Sequence, residues 1–131
     1  MQRLTLAVIS LVATLLMATI GQAKTLTTGI GFAYNAIDCR VLNATAKPIE
    51  VNSVAILDPD GNALPTSTLC TFPGSIFPGL SCSVKVSDLT EHGGGYGRCV
   101  IDTKGNAKSI RATLLLFGTG LGDQETILEA R

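Results

Sequence analysis

The chain has 131 residues, with 10 Lys plus Arg against 10 Asp plus Glu, a net charge of zero and a single His. That length is room for one domain. The even charge argues against a nucleic-acid binder, which normally shows a basic face, and 46% hydrophobic residues exclude a disordered chain.

Residues 1–23 read as a secretory signal peptide. Arg3 gives a short positive start, residues 4–20 are apolar apart from Thr5, Ser10, Thr14 and Thr19, and Gly21-Gln22-Ala23 supplies small residues for cleavage after Ala23. The apolar core sits at the short limit for a spanning helix. The expectation is therefore a mature domain over residues 24–131, secreted or periplasmic, with no membrane attachment after cleavage. All four Cys fall in that domain, and an exported chain with an even Cys count is expected to carry disulfides.

The mature chain reads as short strands. In 36–42, Ile37, Cys39 and Val41 share one face and Asp38 and Arg40 the other. In 48–57, Ile49 and Val51 are in phase while Val54 and Ile56 take the opposite phase, so a β-bulge is expected near Asn52-Ser53. Asp58-Pro59-Asp60-Gly61-Asn62 is a turn by composition. Alternation returns over 80–86, with Leu80, Cys82, Val84 and Val86 inward, and over 96–102, with Cys99 and Ile101 together. Lys104-Gly105-Asn106 reads as a hairpin-type turn. Ile110, Ala112, Leu114 and Leu116 then form an inward face, and 125–130 is a last strand. No stretch of ten or more residues has helical periodicity. Six or seven short strands divided by Gly and Pro turns predict an antiparallel β-sandwich, with a small closed barrel as the alternative.

Four Cys allow three pairings. Cys39, Cys82 and Cys99 fall on inward faces, and Cys70 lies in an irregular stretch. The expected pairs are Cys39 with Cys99 across the core and Cys70 with Cys82 around a local loop. No Cys-x-x-Cys spacing is present, and the Cys70 to Cys82 interval suits no common zinc pattern.

Motifs with catalytic overtones lack their partners. His92-Gly93-Gly94-Gly95 has the look of an esterase oxyanion loop, but no Gly-x-Ser-x-Gly elbow accompanies it and the sole His lies inside the loop. Gly118-Thr119-Gly120-Leu121-Gly122 follows a strand but opens no helix, so it is weak as a dinucleotide fingerprint. The 58–62 turn places Gly fourth, where a calcium loop needs it sixth. Asn43-Ala44-Thr45 fits a glycosylation sequon and is given no function. No catalytic residue, cofactor or metal ligand is expected. The candidate binding loops are Phe72, Ile76 and Phe77 inside the Cys70–Cys82 loop, and Glu91, His92 and Tyr96 on the Gly-rich connection. The Phe and Ile side chains of the first loop could alternatively fold back and cap the core. With no Trp and two Tyr, sugar stacking is disfavoured.

The run Phe77-Pro78-Gly79-Leu80-Ser81-Cys82-Ser83-Val84-Lys85-Val86 resembles the Pro-Gly-then-strand pattern of bacterial immunoglobulin-like sandwich domains. With Asp38-Cys39-Arg40-Val41-Leu42-Asn43, Lys47-Pro48-Ile49-Glu50-Val51, Gly97-Arg98-Cys99 and Ile110-Arg111-Ala112, most of the mature chain is similar to small exported proteobacterial proteins of unknown function. The resemblance implies an immunoglobulin-like sandwich and an envelope or extracellular address; it carries over no catalytic residue. The expected role is non-catalytic binding of another envelope or extracellular component, a protein above all. The alternative is a structural or adhesion subunit that assembles through sheet edges.

Overall fold

The computed structural model describes residues 23–105, 110–118 and 126–129. The predicted signal segment lies outside them except for Ala23, and so do Asn106 of the predicted hairpin turn and most of the 118–122 glycine run. The described chain is all β apart from one 3-10 turn. Its strands are β1 (Ala23–Thr27), β2 (Gly31–Ala33), β3 (Ala36–Asn43), β4 (Ile49–Leu57), β5 (Ser67–Thr68), β6 (Gly74–Ile76), β7 (Ser81–Val86), β8 (Gly95–Lys104), β9 (Ile110–Phe117) and β10 (Thr126–Glu129), with the 3-10 turn at Leu89–His92. Ten described strands replace the six or seven expected; β1, β2, β5 and β6 are the additions, all short and at sheet edges.

Two antiparallel sheets of five strands share one core. The first has the order β1-β8-β4-β6, with β2 also pairing β8. The second has the order β10-β9-β3-β7-β5. The alternation read from sequence sets the faces. Ile37, Cys39, Val41, Leu114 and Leu116 of one sheet meet Val51, Ile56, Cys99 and Ile101 of the other. Most of these side chains are fully withdrawn from water, and a fully buried Val, Leu or Ile contributes about 1.5–3 kcal/mol relative to exposure. The β4 register shifts between Val51 and Ser53, so Val51 and Ile56 both face inward despite their odd spacing.

Two details of the interior follow from neighbouring residues. A Cβ at Gly97 would lie 2.8 Å from Ile37 Cδ1 and 3.0 Å from Ile56 Cγ2, so glycine there lets β8 approach both isoleucines. The edge of the first sheet breaks into β1 and β2 at buried Thr28. Its N–H donates to Cys99 O (3.0 Å), and its hydroxyl accepts from Cys99 N–H (2.9 Å), a rung made in part by a side chain. Asp38 departs from expectation. It lies on the outward face of β3 yet is buried, with Arg40 Nη2 3.2 Å from its carboxylate and Ser83 Oγ donating to it.

Cys39 and Cys99 join the two sheets through the core, with Cα atoms 5.6 Å apart. Cys70 and Cys82 tie the β5–β6 crossover to β7, with Cα atoms 6.1 Å apart. These are the two pairs that the strand faces favoured, and they suit an oxidising compartment.

The strand registers define two ends. At one lie the β2–β3 turn, the 58–66 connection and the 3-10 turn that leads into Gly95. At the other lie the 44–48 connection, the Phe77–Leu80 turn and the end of β8 at Lys104.

Candidate functional site

The Cys70–Cys82 loop divides its apolar residues. Ile76 closes β6 opposite Ile49 and is 7% exposed, so it belongs to the core and is not displayed. Phe72 is half-buried and packs against the same core. Phe77 alone of the three stands out, 58% exposed. Its counterpart is Leu80, also 58% exposed, which the alternating pattern had placed inward.

The correction has a local cause. Leu80 N–H donates to Phe77 O at 3.0 Å, Pro78 and Gly79 occupy the two central positions, and Gly79 has φ +73°. This is the signature of a type II turn, in which proline presets the first φ and glycine supplies the positive one. Strand β7 therefore starts at Ser81, and Leu80 leaves the inward phase.

This turn is pinned from below by Asn43, a residue with no exposed surface. Asn43 N–H donates to Leu80 O (3.1 Å), and Gly79 N–H donates to Asn43 O (3.0 Å). The Asn43 side-chain amide donates to Ile76 O and Lys47 O, each at 2.8 Å. Its Oδ1 accepts from Thr45 N–H (2.9 Å) and Thr45 Oγ1 (2.7 Å). Asn43 of the tripeptide that fits a glycosylation sequon is thus a buried joint between two turns, with its amide fully used. Covalent closure at Cys70–Cys82 and this joint together hold Phe77 and Leu80 at fixed positions.

Around the disulfide lies a shallow pocket of about 340 Å³, lined by Phe72, Pro73, Ile76, Phe77 and Leu80 among others. Leu69, fully exposed, stands beside it. Residues 61–84 contain no charged side chain, a signal visible in the sequence that marks this surface as neutral. A second cavity of about 600 Å³ opens at the same end of the molecule, with Lys47, Glu50 and Lys104 on its wall. Lys104 Nζ is 3.2 Å from Glu50 Oε2, both side chains being well exposed.

The second candidate loop lies at the opposite end, so the structure does not bring the two sets together. Tyr96 is 55% exposed and its ring meets Phe32 across β2–β8, with centroids 5.0 Å apart and planes at 57°. Ile30 and Tyr34 are also exposed beside it, at alternate positions to Phe32. Sequence reasoning passed over Ile30, Phe32 and Tyr34; their spacing of two was the available signal. Glu91 and His92 are exposed on the 3-10 turn.

The glycine run has a packing role. Gly93 N–H donates to Thr90 O (3.1 Å) and Gly94 N–H to Leu89 O (2.8 Å), so both donors close the 3-10 turn and neither is aimed at an oxyanion. Gly94 has φ +93°, and a Cβ there would strike the Phe32 ring and Ala33 O. The calcium-like turn is likewise occupied. Asp58 Oδ1 accepts from Asn62 N–H (2.8 Å) and Oδ2 from Asn62 Nδ2 (3.1 Å). These bonds hold the Asp58 carboxyl below its usual value. Among the described residues no group of three or more His, Cys, Asp or Glu is placed to hold a metal ion.

No protein-family model matches the chain, and no curated protein matches it.

Proposed function

We propose that the chain is a non-catalytic, exported, immunoglobulin-like sandwich protein that works by binding another component of the envelope or extracellular space, with the Phe77–Leu80 turn as its contact. The observation that carries this reading is the pairing of exposure with restraint. Two large apolar side chains stand in water on a turn held by a disulfide, a Pro-Gly pair and the buried Asn43. Exposed apolar groups gain nothing in the free protein, and a rigid turn lowers the entropy lost on contact.

Strand order supports the immunoglobulin-like part. The order β3-β7-β5 in one sheet and β8-β4-β6 in the other has the layout of strands B-E-D and F-C-C′, and Cys39–Cys99 spans the B and F positions. The chain departs from the pattern by visiting β5 before β6, and by placing β1 beside β8 and β9 beside β3. The export reading draws on residues 1–23 and the two disulfides.

The test is capture from an envelope extract by the oxidised protein, run beside Phe77→Ser/Leu80→Ser, whose exposed positions leave the core intact. A partner held by the parent and lost by the variant supports the reading. Retention by the variant moves the site to residues 88–97. Capture by neither removes the reading.

A second reading, a structural or adhesion subunit that assembles through sheet edges, is favoured by one observation. The edge carrying β2 has no charged residue and no proline from Thr25 to Ile37. Natural edges are usually blunted by such residues.

A further inference from the structure

The two ends of the sandwich carry opposite charge. The end with Phe32 and Tyr96 presents Asp58, Asp60, Asp88 and Glu91 on its connections, against Lys85 and Arg98. The end with Phe77 and Leu80 presents Lys24, Lys47, Lys104 and Arg111, against Glu50, Asp102 and Glu129. Each end also has its own exposed apolar cluster, Ile30, Phe32, Tyr34 and Tyr96 at the first and Phe77 and Leu80 at the second. Among the described residues the charge thus leans negative at the first end and positive at the second.

We propose that the component seated on the Phe77–Leu80 end is the acidic, aromatic end of a second copy, so that copies stack head to tail. The proposal rests on the reading of the Phe77–Leu80 turn as a contact, and names its partner. Distance decides whether the charges are free to act between copies. Strand β8 runs ten residues from one end to the other, about 33 Å at the usual rise per residue. The screening length at physiological salt is about 8 Å. The two ends of one copy thus barely neutralise each other, whereas the ends of two touching copies do. Charge also selects the symmetry. A two-fold contact would bring acid to acid or base to base, whereas a heterologous contact joins unlike ends and leaves both outer ends free to continue. The apolar clusters supply the centre of such a contact and the charges its rim, the layout of protein–protein interfaces in general.

The experiment is sedimentation equilibrium on the oxidised protein with two variants. Asp60→Lys/Glu91→Lys reverses the acidic end, and Lys47→Glu/Arg111→Glu reverses the basic end. All four positions are exposed, and circular dichroism checks the fold of each variant. The parent is expected to form a ladder of species that grows with concentration and weakens at least about tenfold in high salt. Each variant alone is expected to stay monomeric or nearly so. In an equimolar mixture of the two, every contact between unlike variants again joins opposite charges, so the concentration-dependent ladder is expected to return. A parent that stays monomeric at millimolar concentration in low salt overturns the proposal, as do variants that assemble like the parent. If the parent is monomeric yet Phe77→Ser/Leu80→Ser still loses a captured partner, the second copy is excluded while the turn remains a contact. If neither self-association nor capture occurs, both readings fall.

Discussion

Replacing Asn43 tests whether the buried joint holds the candidate site. The side chain makes four hydrogen bonds, to Ile76 O, Lys47 O, Thr45 N–H and Thr45 Oγ1. In Asn43→Ala these partners differ in what they lose. Lys47 O can take the Thr45 hydroxyl proton that Asn43 Oδ1 no longer accepts, with Oγ1 already 2.9 Å away, and the 45–47 turn is wet enough for water to take over. The bond to Ile76 O is buried and has no such substitute. An orphaned buried carbonyl costs about 1–3 kcal/mol, and each bond returned to water about 0.5–1.5 kcal/mol. The expected loss is about 2–4 kcal/mol, a large share of the ~5–15 kcal/mol available to a domain. Asn43→Asp sharpens the test. The introduced carboxylate can still accept from Thr45, but it faces two carbonyl oxygens with no proton to offer. Burial and those oxygens raise its folded pKa above the unfolded value. Its destabilisation is then greatest at neutral pH and lessens as pH falls through the raised value, the reverse of ordinary carboxylates. Urea unfolding with disulfides intact, followed by circular dichroism at pH 7 and pH 5, measures both. A loss under about 0.5 kcal/mol for Asn43→Ala, the scale of an ordinary surface change, would refute the joint.

Three further outcomes follow from the packing and the turns. Gly97→Ala drives a methyl into Ile37 and Ile56 and is expected to cost about 1–3 kcal/mol in the same assay; a neutral result would mean β8 shifts freely. Cys70→Ala/Cys82→Ala opens a loop of sequence separation 12 and Cys39→Ala/Cys99→Ala one of separation 60. Chain entropy sets the losses at about 3 and about 4 kcal/mol, and a larger loss for the local pair would contradict that ordering. Asp58, its carboxyl held low first by the Asn62 side-chain amide, gives the 58–62 turn a stabilisation present above the unfolded value of 3.8 and lost as pH falls through the lower folded value. Carboxyl carbon titration by NMR reads this directly, and a midpoint at or above 3.8 would contradict it.

What was legible in the sequence was what period-two alternation could carry. Strands β3, β4, β7, β8 and β9 each send one face into the core, so core residues recur every second position apart from the bulge near Asn52, which shows as a phase slip; burial of Asp38 and Leu115, paired on the opposite face of β3 and β9, left no such mark. The short edge strands carry no such record. Strand β6 has three residues, and the inward direction of Ile76 comes from its partner Ile49, 27 positions earlier in the chain. Leu80 was misplaced because alternation was extended one residue into a turn whose Pro78-Gly79 pair already argued for a break. Asn43 was read as a sequon because its chief partner, Ile76 O, lies 33 residues away. The Phe32–Tyr96 contact was hidden for the same reason, as it exists only in the β2–β8 register.

A side chain that must stay in water cannot be positioned by burial, so its backbone has to hold it. The two ends of this molecule meet that requirement differently. At the Phe77–Leu80 end the backbone is fixed by covalent closure and by a buried amide, and the side chains project beyond both. At the other end the backbone itself is the support. Gly94 presents bare main chain to the Phe32 ring, and the ring in turn meets Tyr96, so one surface is packed while the other stays open. A hydrogen bond or a disulfide fixes direction, whereas a ring resting on glycine fixes depth. Both arrangements reduce the freedom lost when a partner arrives. The residues that set these positions are Asn43, Gly79, Gly94 and the Cys70–Cys82 pair. On the proposed binding reading, damage to those residues reaches binding through geometry, while Phe77, Leu80 and Tyr96 act by contact.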